Sequence, residues 1–389
     1  EKCMNHVYQL VLLGDKEKYE KPIVNWLLIQ TKILGIQNEF IKVINRLNFN
    51  EYLPNNPTYG LYFGSENTSL DQNILNTLID DATLILPIIP DLSLANHYLP
   101  KELHPINAIA MKSINDIPTI TSAILEGFEL LRQSRKLFIS YKRSESSTVA
   151  IQLYEVLEKF GFDVFLDTHS IRPGEPFQEE LWHRMTDSDI VILLNTPDFL
   201  GSQWTQEELA KASAMSLGII QIIWPDCTPL RESELFRTIK LQRESINNQG
   251  HLSEFIIKQL ISETESLRAR TLAARQDNLT TEFIDISHKL GVKSILHTDK
   301  FITFSINDRN YVVIPTVGVP QSFTSNNIYT LRQKICKDKI EEIYLLYDHT
   351  HIRKKWLAHL SWLDEYLPVK TLRLLNIQPF IENQEIKNG

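Results

Sequence analysis

The sequence predicts an α/β protein built on parallel sheets, and three observations carry that prediction. Between residues 136 and 224, short apolar runs alternate with stretches whose apolar residues recur at helical spacing. The runs are too short for helices and are bounded by charged or turn residues, so they read as buried strands. Strands alternating with helices are joined by crossovers, which gives a parallel sheet covered on both faces. Finally, residues 73–87 are patterned like 179–193, and 98–103 like 204–209, at one shared offset of 106 residues. A single offset across two blocks points to a repeated domain.

In chain order, residues 7–13 read as a strand, 23–35 as a helix, and 40–47 and 59–63 as strands, with a loop rich in Asn and Pro between the last two. A helix over 120–131 closes this first domain, 1–133. The central domain, 136–262, opens on a strand at 137–140 that breaks into a polar turn at 141–147. Val149, Leu153, Val156, Leu157 and Phe160 lie on one helix, and Gly161 stops it. A second strand, 163–167, precedes a loop at 168–176 that holds Pro173, Gly174 and Pro176. Then come a helix at 177–187, a strand at 189–194, a helix at 205–215, a strand at 218–223 and a last helix at 251–260. Residues 263–275 read as a charged helical connector.

The third domain, 276–389, is a smaller α/β or α+β fold. Strands at 301–306 and 311–314 flank a hairpin signal at 307–310. Helices are expected at 283–290, 328–337 and 353–366, and strands at 343–347 and 372–377. Asp348-His-Thr-His351 has donor atoms for a metal but no further ligands nearby in sequence, so it reads as a strand end. At the junction of strand and helix a nucleotide or phosphate contact is a further reading.

Composition narrows the function classes. A chain of 389 residues with 43% hydrophobic and 23% charged residues is ordinary for globular domains. The net charge of −8 argues against a broadly basic nucleic-acid surface. Cys3, Cys227 and Cys336 are far apart and odd in number, which fits no disulfide framework and suits a reducing cytoplasm. No apolar run approaches the roughly 20 residues of a membrane helix. No phosphate-binding glycine loop, hydrolase triad or zinc motif is present.

Five segments of the central domain together resemble a known family. Phe-Ile-Ser-Tyr-Lys-Arg (138–143), Gly-Phe-Asp-Val-Phe-Leu-Asp (161–167), Arg-Pro-Gly (172–174), Ser-Asp-Ile-Val-Ile-Leu-Leu (188–194) and Ser-Gln-Trp-x-x-x-Glu-Leu (202–209) are similar to a Toll/interleukin-1 receptor (TIR) domain of the bacterial, NAD-cleaving type. The resemblance implies a flavodoxin-like fold with 168–176 as the family's BB loop. It also implies one of two activities: assembly through TIR–TIR contacts, or cleavage of NAD at the nicotinamide–ribose bond. Cleaving members carry a glutamate four residues after a tryptophan, and here Glu208 follows Trp204. On a helix that spacing sets both side chains on one face. By the repeat, residues 1–133 are a second, diverged TIR-like copy in which Glu102 matches Glu208 and Tyr98 replaces the tryptophan. That copy is expected to be structural.

The chemistry needs few groups. Nicotinamide is cationic while attached to ribose, so it leaves without an acid. The sugar is left with oxocarbenium character, as in glycoside hydrolysis. An ionised carboxylate at Glu208 would stabilise it. Phe138, Tyr141 or Trp204 would cover the nicotinamide or adenine ring, and Lys142 and Arg143 suit the diphosphate. Asp167 either touches ligand or holds loop polar groups. NAD enters as substrate, and no resident cofactor or metal is implied. The product is ADP-ribose, or a cyclised ADP-ribose signal if a ribose hydroxyl replaces water. The resemblance further implies self-association, a separate trigger protein and a role in anti-phage defence. Plainer readings exist for each residue: an exposed helix glutamate, a core tryptophan, solvated loop cations.

Overall fold

The computed structural model describes residues 8–386, apart from 17, 35, 55, 129, 167–176, 200–211, 213–214, 230–235, 298–299 and 336–339. The chain divides into two units. One holds Glu1–Gln133 with Glu254–Arg270, the other Ser134–Ser253 with Thr271–Gly389.

The first unit is built on a parallel sheet of β1 (Tyr8–Gly14), β2 (Ile41–Ile44), β3 (Thr58–Phe63), β4 (Leu84–Ile89) and β5 (Ile109–Ala110), in the order β2-β1-β3-β4-β5. Every residue of β1 is buried, as an uninterrupted apolar strand covered on both faces must be. The helices are α1 (Glu20–Ile33), α2 (Gln72–Asp80), the short α3 (Ala95–Tyr98) and α4 (Ile117–Gly127). Pro118 sits in the first turn of α4, where its missing N–H costs nothing.

The second unit carries two sheets. The central one is parallel, with β6 (Lys136–Ser140), β7 (Asp163–Leu166), β8 (Ile190–Asn195), β9 (Gly218–Ile223) and β10 (Phe236–Lys240) in the order β10-β9-β8-β6-β7. Its helices include α5 (Arg143–Lys159) and α6 (Phe177–Asp187). The helix expected at 205–215 falls largely outside the described residues. α7 (Glu254–Lys289) is one uninterrupted helix, where the sequence pattern divides it into a helix, a charged connector and a second helix. No Gly or Pro occurs within it, so nothing in the backbone breaks it.

The last sheet is mixed: β11 (Ser294–Leu296), β12 (Ile302–Ile306), β13 (Arg309–Pro315), β14 (Ile340–Tyr347) and β15 (Val369–Arg373) lie side by side in chain order. The first three are antiparallel and the last three parallel. The expected hairpin turns at Asn307 and Asp308, both with positive φ, as a two-residue turn matching strand twist requires. α8 (Ser322–Ile335), α9 (Lys354–Tyr366) and α10 (Ile377–Ile386) complete the domain. Among the described residues no helix is long and apolar enough to cross a membrane.

Both parallel sheets place their strands in the same order: second, first, third, fourth, fifth. The offset of 106 residues does not follow that order. It lays β4 on β8, yet β4 is the fourth strand of its sheet and β8 the third of its own. The alignment is therefore one strand out of step. It reflects what any helix and strand entering a parallel sheet have in common. Glu102 lies between the fourth and fifth strands, whereas position 208 lies between the third and fourth, so Glu102 is not its counterpart. The helix at that place in the first unit is α2, which has no acidic residue before Asp80.

Arg268 of α7 ties the helix into the first unit. Its side chain is fully buried, pairs with Glu126 of α4 and donates to the Arg132 carbonyl at 2.6 Å. Glu126→Ala removes one carboxylate from that buried cation. The expected loss is about 3 kcal/mol, read as a melting temperature lowered by several degrees. An unchanged melting temperature would show that the pair does not hold α7 in place.

Candidate active site

The central sheet reverses its strand order between β6 and β8, and loops leaving that point at the carboxyl edge form the natural ligand crevice. β6 exits through Tyr141-Lys142 into α5. β8 exits through Thr196, Pro197 and Asp198. Lys142 joins the two exits: its Nζ lies 2.8 Å from Glu145 Oε1 and 3.1 Å from Asp198 Oδ2. The Asp198 amide donates to Glu145 Oε2 at 3.3 Å. Lys142 first, then the Thr196 hydroxyl and the Asp198 amide, hold the Glu145 carboxyl down at about 2. Glu145 in turn raises the Lys142 ammonium. On the far side of β8, the Asn195 amide donates to the Thr228 carbonyl at 2.8 Å. Burial raises the nearby Cys227 thiol, so it is not a thiolate nucleophile at neutral pH.

The residues proposed from sequence separate into three groups. Phe138 and Tyr141 are fully buried. Phe138 stacks on Phe165 with centroids 5.5 Å apart, inside a cluster with Trp182, Val191 and Leu193. Phe138 belongs to β6, which is covered on both sides, and Tyr141 follows the last residue of that strand. Lys142 and Arg143 do stand at the strand exit, Arg143 exposed at the start of α5 and Lys142 engaged by two carboxylates. Asp167, Trp204 and Glu208 lie outside the described residues. On either side of 200–211, Phe199 and Ala212 both enter the same core cluster as Phe138. Sequence reasoning passed over Glu145 and Asp198. Glu145 carried a signal, an acid three residues after Lys142 at a helix start; Asp198, 56 residues away, carried none.

α6, which directly follows 167–176, packs on the third domain. Trp182 stacks on His351 at 4.8 Å and His183 on Trp356 at 5.7 Å. Glu180 accepts from Arg184 at 2.8 Å and from Arg353 at 2.6 Å. Burial alone would raise the Glu180 carboxyl, but these two guanidinium groups outweigh it and lower it. Arg275 of α7 donates to the carbonyls of Thr186 and Ser188. The stack on Trp182 accounts for His351, and a short strand end accounts for the rest of Asp348-His-Thr-His351. A separate cavity of about 730 Å³ opens at the carboxyl edge of the mixed sheet, lined among others by Arg275, Glu282, Thr316, Gly318 and Asp348.

The matching edge of the first unit is closed. The Gly14 amide donates to Asp71 Oδ2 at 2.9 Å, and Arg46 Nε lies 3.1 Å from Asp71 Oδ1. Arg46 also donates to the Gly14 carbonyl at 3.3 Å.

A five-stranded parallel sheet of this order, with polar and charged loops at the switch point, defines a flavodoxin-like α/β domain. Residues 137–253 match the family model of the TIR domain, and this stretch of the chain is a TIR domain. Among curated proteins, the 2' cyclic ADP-D-ribose synthase BtTIR of Bacteroides thetaiotaomicron is 22% identical over 125 residues, 32% of this chain and 44% of that protein. The NAD(+) hydrolase sarm1 of Drosophila melanogaster is 29% identical over 117 residues, 27% of this chain and 8% of that protein. The chain thus spans less than half the length of either relative.

His183 makes the packing of α6 sensitive to acid. It is 3% exposed, and burial lowers its pKa below the ordinary 6.5, against the pull of Asp187 and Glu180. The unfolded chain therefore takes up a proton first. Stability is full above pH 6.5 and falls as pH drops below it. His183→Phe keeps a ring against Trp356 and should lose less melting temperature than the parent between about pH 7.5 and about pH 5. Equal losses would exclude His183 as the source.

Proposed function

We propose that the TIR domain cleaves NAD at the nicotinamide–ribose bond, with Glu208 as the catalytic carboxylate. The observation that carries this is the Trp204–Glu208 spacing in the connection between β8 and β9, within a TIR domain whose relatives include a named NAD(+) hydrolase and a named 2' cyclic ADP-D-ribose synthase. The bond breaks heterolytically. Its electron pair passes to the pyridine nitrogen, which leaves neutral, and the positive charge stays on the ribose. An ionised Glu208 stabilises that charge. Attack by water, with loss of its proton, gives ADP-ribose; attack by a ribose hydroxyl gives a cyclic product. The name of the Bacteroides relative keeps the second outcome in view.

Trp204 is an aromatic candidate to cover a ring, and Asp167 to meet a ribose hydroxyl or hold the 168–176 loop. Arg143, exposed at the start of α5, stands at the β6 exit where a diphosphate would lie, while Lys142 reaches it only by leaving Glu145 and Asp198. NAD as substrate assigns the reaction to the cytoplasm. An enzyme that drains NAD harms its maker, so activity is off until TIR domains assemble in response to a trigger, as an anti-phage effector would require. The first unit, with its edge closed by Arg46 and Asp71, serves assembly or sensing rather than catalysis.

Concentrated full-length chain incubated with NAD should release nicotinamide, and chromatography of the partner product decides between hydrolysis and cyclisation. Glu208→Gln should lower release by about a hundredfold or more with an unchanged circular dichroism spectrum. Release at the parental rate in that variant would remove Glu208 from the mechanism and leave a scaffolding role.

A further inference from the structure

α9 presents two opposite faces. Leu360 is buried, and it packs with Leu357 and Leu363 against Val319, Tyr347 and Ile352. The outward face carries Lys355, His359, Trp362 and Tyr366, all exposed. Trp362 is 53% exposed and Tyr366 69%. The rings form a ladder along the helix: His359 to Trp362 at 5.9 Å with planes 22° apart, and Trp362 to Tyr366 at 5.3 Å. Trp356, on another side of the helix, is accounted for by His183 of the TIR domain. Among the described residues, Trp362 and Tyr366 have ring contacts within α9 alone. Rows of exposed aromatic side chains of this kind mark interaction surfaces.

Spacing and charge identify the partner. Steps of four, three and four residues from Lys355 through His359 and Trp362 to Tyr366 are those of a helix–helix seam. Ala358 and Ser361, both exposed, flank the seam with small side chains that leave room for a neighbour's rings. Exposed Lys354 and Lys355 stand at the start of the helix and exposed Glu365 at its end. The geometry points to a second copy of this chain, its α9 packed antiparallel on this one about a two-fold axis. In that arrangement Lys355 faces Tyr366 and Glu365 of the second copy, and His359 faces Trp362, twice over by symmetry. The helix dipoles also oppose. A parallel pairing would set lysine on lysine. Single-stranded nucleic acid, the other ligand of aromatic ladders, fits less well beside Glu365 on a chain of net charge −8.

The contact is small. A helix of this length runs about 20 Å, and one such pair buries less than the ~1,200 Å² of a standard specific interface. Dimerisation through α9 is therefore weak and concentration-dependent. It brings two chains together through the domain that holds α6, and it does not rest on NAD chemistry.

Sedimentation of the full chain over a concentration series tests it. The mass should rise from 45.1 kDa toward twice that value. Trp362→Glu with Tyr366→Ser should remain monomeric at the highest concentration, with unchanged circular dichroism. Lys355→Glu and Glu365→Lys should each weaken the dimer by about threefold, and the two reversals combined should restore it. A monomer at all concentrations, a dimer indifferent to Trp362→Glu, or a double reversal that fails to restore pairing would overturn the proposal. So would binding of an oligothymidylate that Trp362→Glu abolishes.

Discussion

Burial of β6 on both faces is the constraint from which the candidate site follows. A strand hydrogen-bonded to β7 on one side and β8 on the other, and covered above and below, has no side chain to offer a ligand. Only what leaves its carboxyl end can reach solvent. That rule makes Phe138 core and sets Lys142, Arg143 and Glu145 just beyond the strand's carboxyl end. It also fixes where the 196–217 connection begins and ends, because β8 and β9 are held in register beside β6. Phe199 and Ala212 enter the core as Phe138 does.

Electrostatics at that edge favour a fixed frame over a free cation. Lys142 is shared by Glu145 and Asp198, and the network spans both strand exits. A diphosphate would have to compete with two carboxylates for it. Glu145 ionises well below neutrality, so the frame persists across the physiological range. The third domain packs on the central one through α6. It grips α6 through two aromatic stacks and a carboxylate held by two arginines.

Most strands of the parallel sheets were legible because a doubly covered strand must be a short apolar run. Helix 177–187 and strand 218–223 fall where the pattern sets them. The edge strands β5 and β10 escaped because short or charged segments, such as Arg237 and Lys240 in β10, lack that signature. The sequence pattern divides α7 because Glu263, Arg268 and Arg270 suggest a solvated connector; burial of Arg268 against Glu126 is a tertiary fact with no local trace. At the site, position along the chain showed which residues stand near the edge. It could not show that aromatic residues beside a motif point into the core, or that Asp198 comes to meet Lys142.

The repeat teaches a related lesson about topology. Both parallel sheets have one strand order, and helix–strand pairs with similar spacing recur in any such sheet. An alignment can therefore match α2–β4 to α6–β8 and still pair different positions in the fold. Strand pairing, not offset, decides equivalence. By that measure the counterpart of the 196–217 connection in the first unit is the one that holds α2, and Asp71 just before it pairs with Arg46.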